Sequence, residues 1–199
     1  MANDLFLLWL AALLLMGSPG PATLSLAAIG TAFGFRCGLP YLCGIVVGTA
    51  CVLLFIATGV TAVILTQPIL TRALTFIGSA YILFLAVRIA TAPVGATAIE
   101  AMNAPTMLSG LVLALANPKA YAAIGAVYAG HSLIRDDLLQ DTLAKICALA
   151  IVVVIVNTAW LAFGSIFSTM LNQPRLGRLA NLVFAVMLVA SVGAALLSK

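Results

Sequence analysis

Residues 107–133 read MLSGLVLALANPKAYAAIGAVYAGHSL, and their one charged side chain, Lys119, stands about twelve residues from either end. A run this long and apolar exceeds the roughly 20 residues that carry a helix across a bilayer core. Its middle holds Asn117-Pro118-Lys119. Proline removes a backbone donor and frees the carbonyl one turn back. In lipid such a freed group needs a partner or a wet cavity. A charged side chain at the bilayer centre costs about 2.5–3.5 kcal/mol on insertion scales, so Lys119 is expected to face a bundle interior. The stretch therefore reads as a broken transmembrane helix with a cation at the break. The competing reading sets the helix deeper and lets Lys119 snorkel to the surface.

The rest of the chain has the same character. Hydrophobic residues are 64% of the 199, charged residues 7%, and the mean hydropathy is +1.25. Soluble domains are roughly a quarter charged, so a soluble fold is excluded. The net charge of +4 is spread over several loops without a basic run. That is the ordinary lysine and arginine bias of loops beside a membrane, and no nucleic-acid partner is expected. Met1-Ala-Asn-Asp4 lacks the basic start of a signal peptide, so the apolar run after it reads as a mature first helix.

Charged residues mark where the chain leaves the bilayer. Residues 5–35, 37–71, 73–87, 146–174 and 179–198 carry none. With turn signals at Arg36 and Gly38-Leu-Pro40, at Gln67-Pro68 and at Asn172-Gln-Pro174-Arg175, the expected helices are 5–35, 38–66, 69–91, 107–133, 142–170 and 177–197. Two longer polar connections, Thr91 to Thr106 and Arg135 to Lys145, remain. The expected fold is an all-α integral membrane domain over 1–199. Its six helices form a 3+3 inverted repeat, 1–98 and 99–199, because two odd-numbered repeats must insert in opposite senses.

Helix 1 is interrupted by Ser18-Pro19-Gly20-Pro21 much as helix 4 is by Asn117-Pro118-Lys119. Matching breaks in two halves point to a midplane binding site. The candidate substrate-binding residues are Pro19, Gly20, Pro21, Asn117, Pro118 and Lys119, together with Thr49, Tyr81 and Asn157. The last three are polar residues deep in helices, which more readily join helices by hydrogen bonds than line a cavity. The acids Asp4, Glu100, Asp136, Asp137 and Asp141 fall at helix ends or in loops. A midplane site with a lysine and no carboxylate suits neutral zwitterions or small acids better than basic solutes. Cys37, Cys43, Cys51 and Cys147 form no CxxC pair, and His131 has no second ligand near it in sequence. The cysteines are read as packing residues, and no catalytic residue, metal or cofactor is expected. Gly30, Gly34 and Gly38, then Gly44 and Gly48, are read as close-packing positions.

Pro19-Gly20-Pro21, followed after twelve residues by Gly34, Gly38, Gly44 and Gly48, resembles the first motif of the lysine exporter (LysE/RhtB) translocators. Gly78-Ser-Ala-Tyr81-Ile-Leu with Arg88 resembles the end of that family's first half, and Gly110 with Asn117-Pro118-Lys119 the start of its second. The resemblance covers most of the chain in order. It implies a six-helix inverted-repeat exporter of amino acids or their relatives, driven by an ion gradient, with both proline breaks and the lysine in its transport site. Two departures stand out. Thr49 occupies a position that is acidic in many members, and Ala120-Tyr-Ala-Ala-Ile-Gly125 is smaller and less aromatic than usual.

The expected function is export of small zwitterionic metabolites, neutral rather than basic, from the inner membrane of a bacterial-type cell. The expected partners are a small-molecule substrate and membrane lipid, with a homodimer as the candidate assembly. The alternatives are an exporter of heavy-metal or other inorganic ions, a membrane thiol-transfer protein using two of the cysteines, and an assembly factor without a cavity. Lysine and arginine divide evenly between the two sides, so orientation stays open.

Overall fold

The computed structural model describes residues 2–61, 67–91, 105–170 and 174–197. Among them are seven helices: α1 (Ala2–Gly17), α2 (Pro21–Ala57), α3 (Pro68–Ala90), α4 (Met107–Leu115), α5 (Pro118–Gly130), α6 (Leu138–Met170) and α7 (Pro174–Leu197). No strand occurs among the described residues.

Both proline segments break the chain as their chemistry requires. Pro21 opens α2 and Pro118 opens α5, each in the first helical turn, where a missing N–H costs nothing. The expected helix 107–133 is the pair α4 and α5, bent by 61°. Asn117 caps α5, its Oδ1 accepting the Lys119 amide at 3.2 Å.

The first reversal differs from expectation. It falls at Gly34 (φ 78°, ψ 170°) rather than at Arg36 to Pro40. Only glycine enters that backbone region cheaply, so one residue absorbs the reversal and divides α2 into arms 21–33 and 35–57. A Cβ on Gly34 would meet nothing within 4 Å. Gly34 is thus a turn residue and not the packing residue its spacing implied. Pro40 continues inside the helix, and both it and Arg36 are exposed, so the carbonyl it frees is not stranded in the core.

Other boundaries shift as well. The expected helix 38–66 ends at Ala57, followed by Thr58 and by Gly59 at φ 75°. The expected helix 142–170 starts at Leu138, because Asp137 Oδ1 accepts the Gln140 amide at 3.0 Å and sets an earlier N-terminus. Residues 92–104 and 171–173, which hold the expected division between repeats and the Asn172-Gln part of the turn before Pro174, lie outside the described residues.

The surface is apolar and the interior holds polar groups. Ile69, Leu138 and Phe76 are 84%, 82% and 76% exposed, whereas Thr49, Asn117, Asp141, Lys145, Asn157 and Asn181 are buried. That inversion suits lipid as the surrounding solvent. By length and composition, Pro21–Ala57, which the Gly34 reversal divides into two arms, and Leu138–Ile166 are long and apolar enough to cross a membrane, and the bent pair α4–α5 is a third such stretch if it is one span.

Two apolar clusters form the core. One gathers Leu26, Ile29, Tyr41, Ile45, Leu85, Leu113, Leu161 and Leu188. The other gathers Leu8, Ala12, Val52, Leu53, Ile124, Leu149 and Val152, and Trp160 packs against both. Glycines set the closest approaches. Gly30 and Gly164 bring α2 and α6 together, and Gly44 and Gly110 bring α2 and α4 together, each facing the other helix's backbone. A Cβ on Gly44 would collide with the Met107 carbonyl and lie 2.8 Å from the Leu111 nitrogen. Gly44→Ala is therefore expected to force the α2 and α4 backbones apart and lower the unfolding temperature by several degrees. Gly125→Ala, where a Cβ meets nothing, is expected to be neutral or slightly stabilising through helix propensity. Thermal unfolding of the two variants in detergent separates the effects.

Candidate substrate site

The two helix breaks face each other. Lys119 Nζ donates to the Ser18 carbonyl and, at 3.2 Å, to the Pro19 carbonyl. These carbonyls lie just beyond the last turn of α1. That end of a helix carries partial negative charge, which favours a cation.

The local sequence shapes the receptor for this cation. Gly20 continues the chain in an extended conformation. Its amide donates to Thr23 Oγ1 at 2.9 Å, and the Thr23 hydroxyl lies 3.3 Å from the Ser18 carbonyl. Trp160 Nε1 on α6 donates to the Gly17 carbonyl at 3.0 Å. The unwound segment is thus held from both sides, with backbone groups met by side chains as a lipid-embedded break demands. Gly20 has a second role. A Cβ there would lie 2.9 Å from Lys119 Nζ and closer still to Cδ, so glycine leaves the space in which the lysine side chain lies.

A cavity of about 40 Å³ adjoins the break, lined by Met16, Gly20, Thr23, Thr49, Asn117, Lys119, Ala120, Ile124, Val156 and Asn157 among others. At about 10–15 Å³ per water it has room for a few waters. Lys119 is the charged side chain in this lining, and no carboxylate is in it among the described residues. The Asn157 amide donates to the Val153 carbonyl at 2.7 Å on its own helix.

Five of the sequence candidates, Gly20, Thr49, Asn117, Lys119 and Asn157, line this one cavity. Pro19 reaches the site through its carbonyl. Pro21 and Pro118 set the helix starts and are not in the lining. Tyr81 is not brought there. It sits half-buried against the Tyr41 cluster, with Phe84 6.1 Å away ring to ring. Sequence reading missed Met16, Thr23 and Val156 in the lining; Thr23 was detectable as the third residue of a helix opening after a proline. It also missed Trp160, whose indole needs a partner when buried.

A second polar cluster lies away from the cavity. Asp141 accepts the Leu133 and Ile134 amides at 2.6 and 2.9 Å and pairs with Lys145 at 2.8 Å. Lys145 also donates to the Tyr128 and His131 carbonyls, each at 3.3 Å, and lies 4.0 Å from the Tyr128 ring centre. Asp141 was expected just outside a helix starting at 142 and Lys145 just inside it, in the polar stretch Arg135 to Lys145. They are instead the buried first turns of α6, one helical turn apart, and they fasten the 131–134 segment to it.

The cysteines are free thiols, Cys43 and Cys147 exposed and Cys37 and Cys51 half-buried. Among the described residues no three His, Cys, Asp or Glu side chains come together as a metal site.

Fold and site together define a membrane protein, all-helical among the described residues, with a cationic side chain held where two breaks between helices meet. The chain belongs to the LysE type translocator family, which matches residues 5–199. The cysteine/O-acetylserine efflux proteins of Escherichia coli (strain K12) and Salmonella typhi are each 26% identical to it over 181 residues, 91% of this chain and 91% of theirs. That of Escherichia coli O139:H28 (strain E24377A / ETEC) is 25% identical over the same share. These relatives are efflux proteins rather than enzymes by name. No solved structure matches the chain.

Proposed function

We propose that this protein is a secondary transporter of the inner membrane that exports small neutral amino acids or their close derivatives. The observation that carries the reading is the Lys119 ammonium on the Ser18 and Pro19 carbonyls, beside a cavity whose lining holds no acid among the described residues. A lysine there offers a partner for a substrate carboxylate, and the carbonyls offer one for an ammonium group. Half-helix ends and unwound carbonyls at a midplane break are how secondary transporters hold charged solutes. With no carboxylate in the lining, a basic side chain on the substrate would find no counter-charge. The efflux relatives named for cysteine and O-acetylserine support the same substrate class.

The proposed frame is six spans in a 3+3 inverted repeat. In the first half, α1, a break and arm 21–33 form one span, arm 35–57 the next and α3 the third. In the second half, α4, a break and α5 correspond to the first span, α6 to the second and α7 to the third. Both halves thus run as broken span, reversal, unbroken span, final span, which supports an inverted repeat.

Efflux from vesicles loaded with labelled O-acetylserine, cysteine, lysine or arginine tests the substrate class. The expected result is export of the first two at least tenfold faster than of the basic pair. Equal rates for lysine and O-acetylserine would remove the neutral-substrate reading. The four cysteines take no part in it, so a version with all four changed to serine is expected to export O-acetylserine at the wild-type rate.

A further inference from the structure

We propose that Lys119 is a built-in stand-in for the substrate's own ammonium group, and that a zwitterion enters only by exchanging places with it. The proposal rests on the exporter reading above and adds how the site selects and admits its solute.

The carbonyls of Ser18 and Pro19, at the negative end of α1, form a receptor for one ammonium group, and Lys119 Nζ already fills it. Two ammonium groups cannot share it, because like charges at hydrogen-bonding separation repel strongly outside bulk water. The cavity beside them, about 40 Å³, has room for a few waters, and Lys119 is part of its lining. The side chain rests in the space left by Gly20. The substrate is therefore not added to a waiting site; the lysine must move first.

A carboxylate supplies the reason to move. Lys119 is the second residue of α5, and the starts of α2 and α5 both flank it, where partial positive charge favours an anion. A carboxylate settling there draws the lysine ammonium off the carbonyls. The substrate's ammonium, attached one carbon away, then takes them over. Each polar group keeps a partner before and after the exchange. An amine without a carboxylate has nothing to draw the lysine away. An acid without an amine leaves the carbonyls bare in an apolar setting, where unmet polar groups are costly. Selection for zwitterions then follows from one residue acting in two roles.

The test uses the purified chain in phosphatidylethanolamine–phosphatidylglycerol vesicles, with flux through protein-free vesicles subtracted. The probes are O-acetylserine, O-acetylethanolamine (the same molecule without the carboxylate) and 3-acetoxypropionate (without the amine). Wild type is expected to pass O-acetylserine at least tenfold faster than either analogue. In Lys119→Met the carbonyl receptor is vacant, so O-acetylserine flux is expected to fall while O-acetylethanolamine flux rises at least tenfold above wild type. A folded Lys119→Met that passes the amine no faster than wild type overturns the exchange and leaves the exporter reading intact. Failure of wild type to move any of the three overturns both. Should the methionine variant not fold, acetylating Lys119 on the folded wild type with an amine-reactive ester makes the same neutralisation, its site read by mass spectrometry. The same gain of amine flux is then expected, and its absence overturns the exchange.

Discussion

Replacing Lys119 with alanine is expected to lower export of O-acetylserine at subsaturating concentration by at least about 30-fold. Truncating one partner of a desolvated, hydrogen-bonded charge pair costs about 2–5 kcal/mol, and 1.4 kcal/mol is a factor of ten. The lost partner here is the substrate carboxylate, so the effect should fall mainly on the apparent affinity. Stability should fall modestly, because the Pro19 carbonyl loses the Lys119 donor. The Ser18 carbonyl keeps the Thr23 hydroxyl nearby, and the Gly17 carbonyl keeps Trp160, so the break retains its other supports. Lys119→Arg serves as the control. It preserves the charge but brings a planar head into a space of about 40 Å³, and its export should lie between wild type and alanine. Concentration-dependent efflux from vesicles with matched protein content measures all three. Equal apparent affinities for wild type and Lys119→Ala would detach the lysine from substrate binding.

The largest loss of stability is expected at Asp141. Its Oδ1 accepts the Leu133 and Ile134 amides and its Oδ2 faces Lys145. Asp141→Ala therefore leaves a buried ammonium without its counter-ion and two backbone donors without their acceptor. Breaking a buried pair from one side costs about 3–5 kcal/mol, and unmet donors add to it. Lys145→Met is expected to cost less. The carboxylate it leaves behind still accepts the same two amides, and methionine refills much of the volume against Tyr128. The order, Asp141→Ala well below Lys145→Met, is the diagnostic result. It is read from unfolding midpoints in mixed micelles, and equal losses would show that the amide contacts contribute nothing. Because this cluster closes the end of α5 onto α6, the alanine variant should also loosen the helix that carries Lys119.

What the sequence disclosed follows from which forces are local. Pro19, Pro21 and Pro118 act through their own covalent structure, so both breaks could be placed from the letters alone, and Lys119 marked which side mattered. Thr49, Tyr81 and Asn157 looked alike, as polar residues deep in apolar runs. Which of them reaches the cavity depends on how each helix is rotated by its neighbours, and no local rule gives that rotation. Thr49 and Asn157 turned inward and Tyr81 turned to the Tyr41 cluster. Gly34 misled for a related reason: spacing alone does not separate a glycine kept for close packing from one kept for a positive φ. The Asp141–Lys145 pair was hidden by a boundary. With the helix start placed at 142, the two fell on opposite sides of it, and their spacing of one turn lost its meaning.

The supports of α1 reach forward along the chain. Trp9 donates to the Ala148 carbonyl, Trp160 to the Gly17 carbonyl and Lys119 to those of Ser18 and Pro19. α1 and the segment after it thus wait for donors and acceptors more than a hundred residues behind them. At about 5–20 residues per second, the interval between Gly17 and Trp160 lasts on the order of ten seconds. During that time α1 must be held by something other than its eventual neighbours, whether lipid or the insertion machinery, and its final docking follows the synthesis of Trp160.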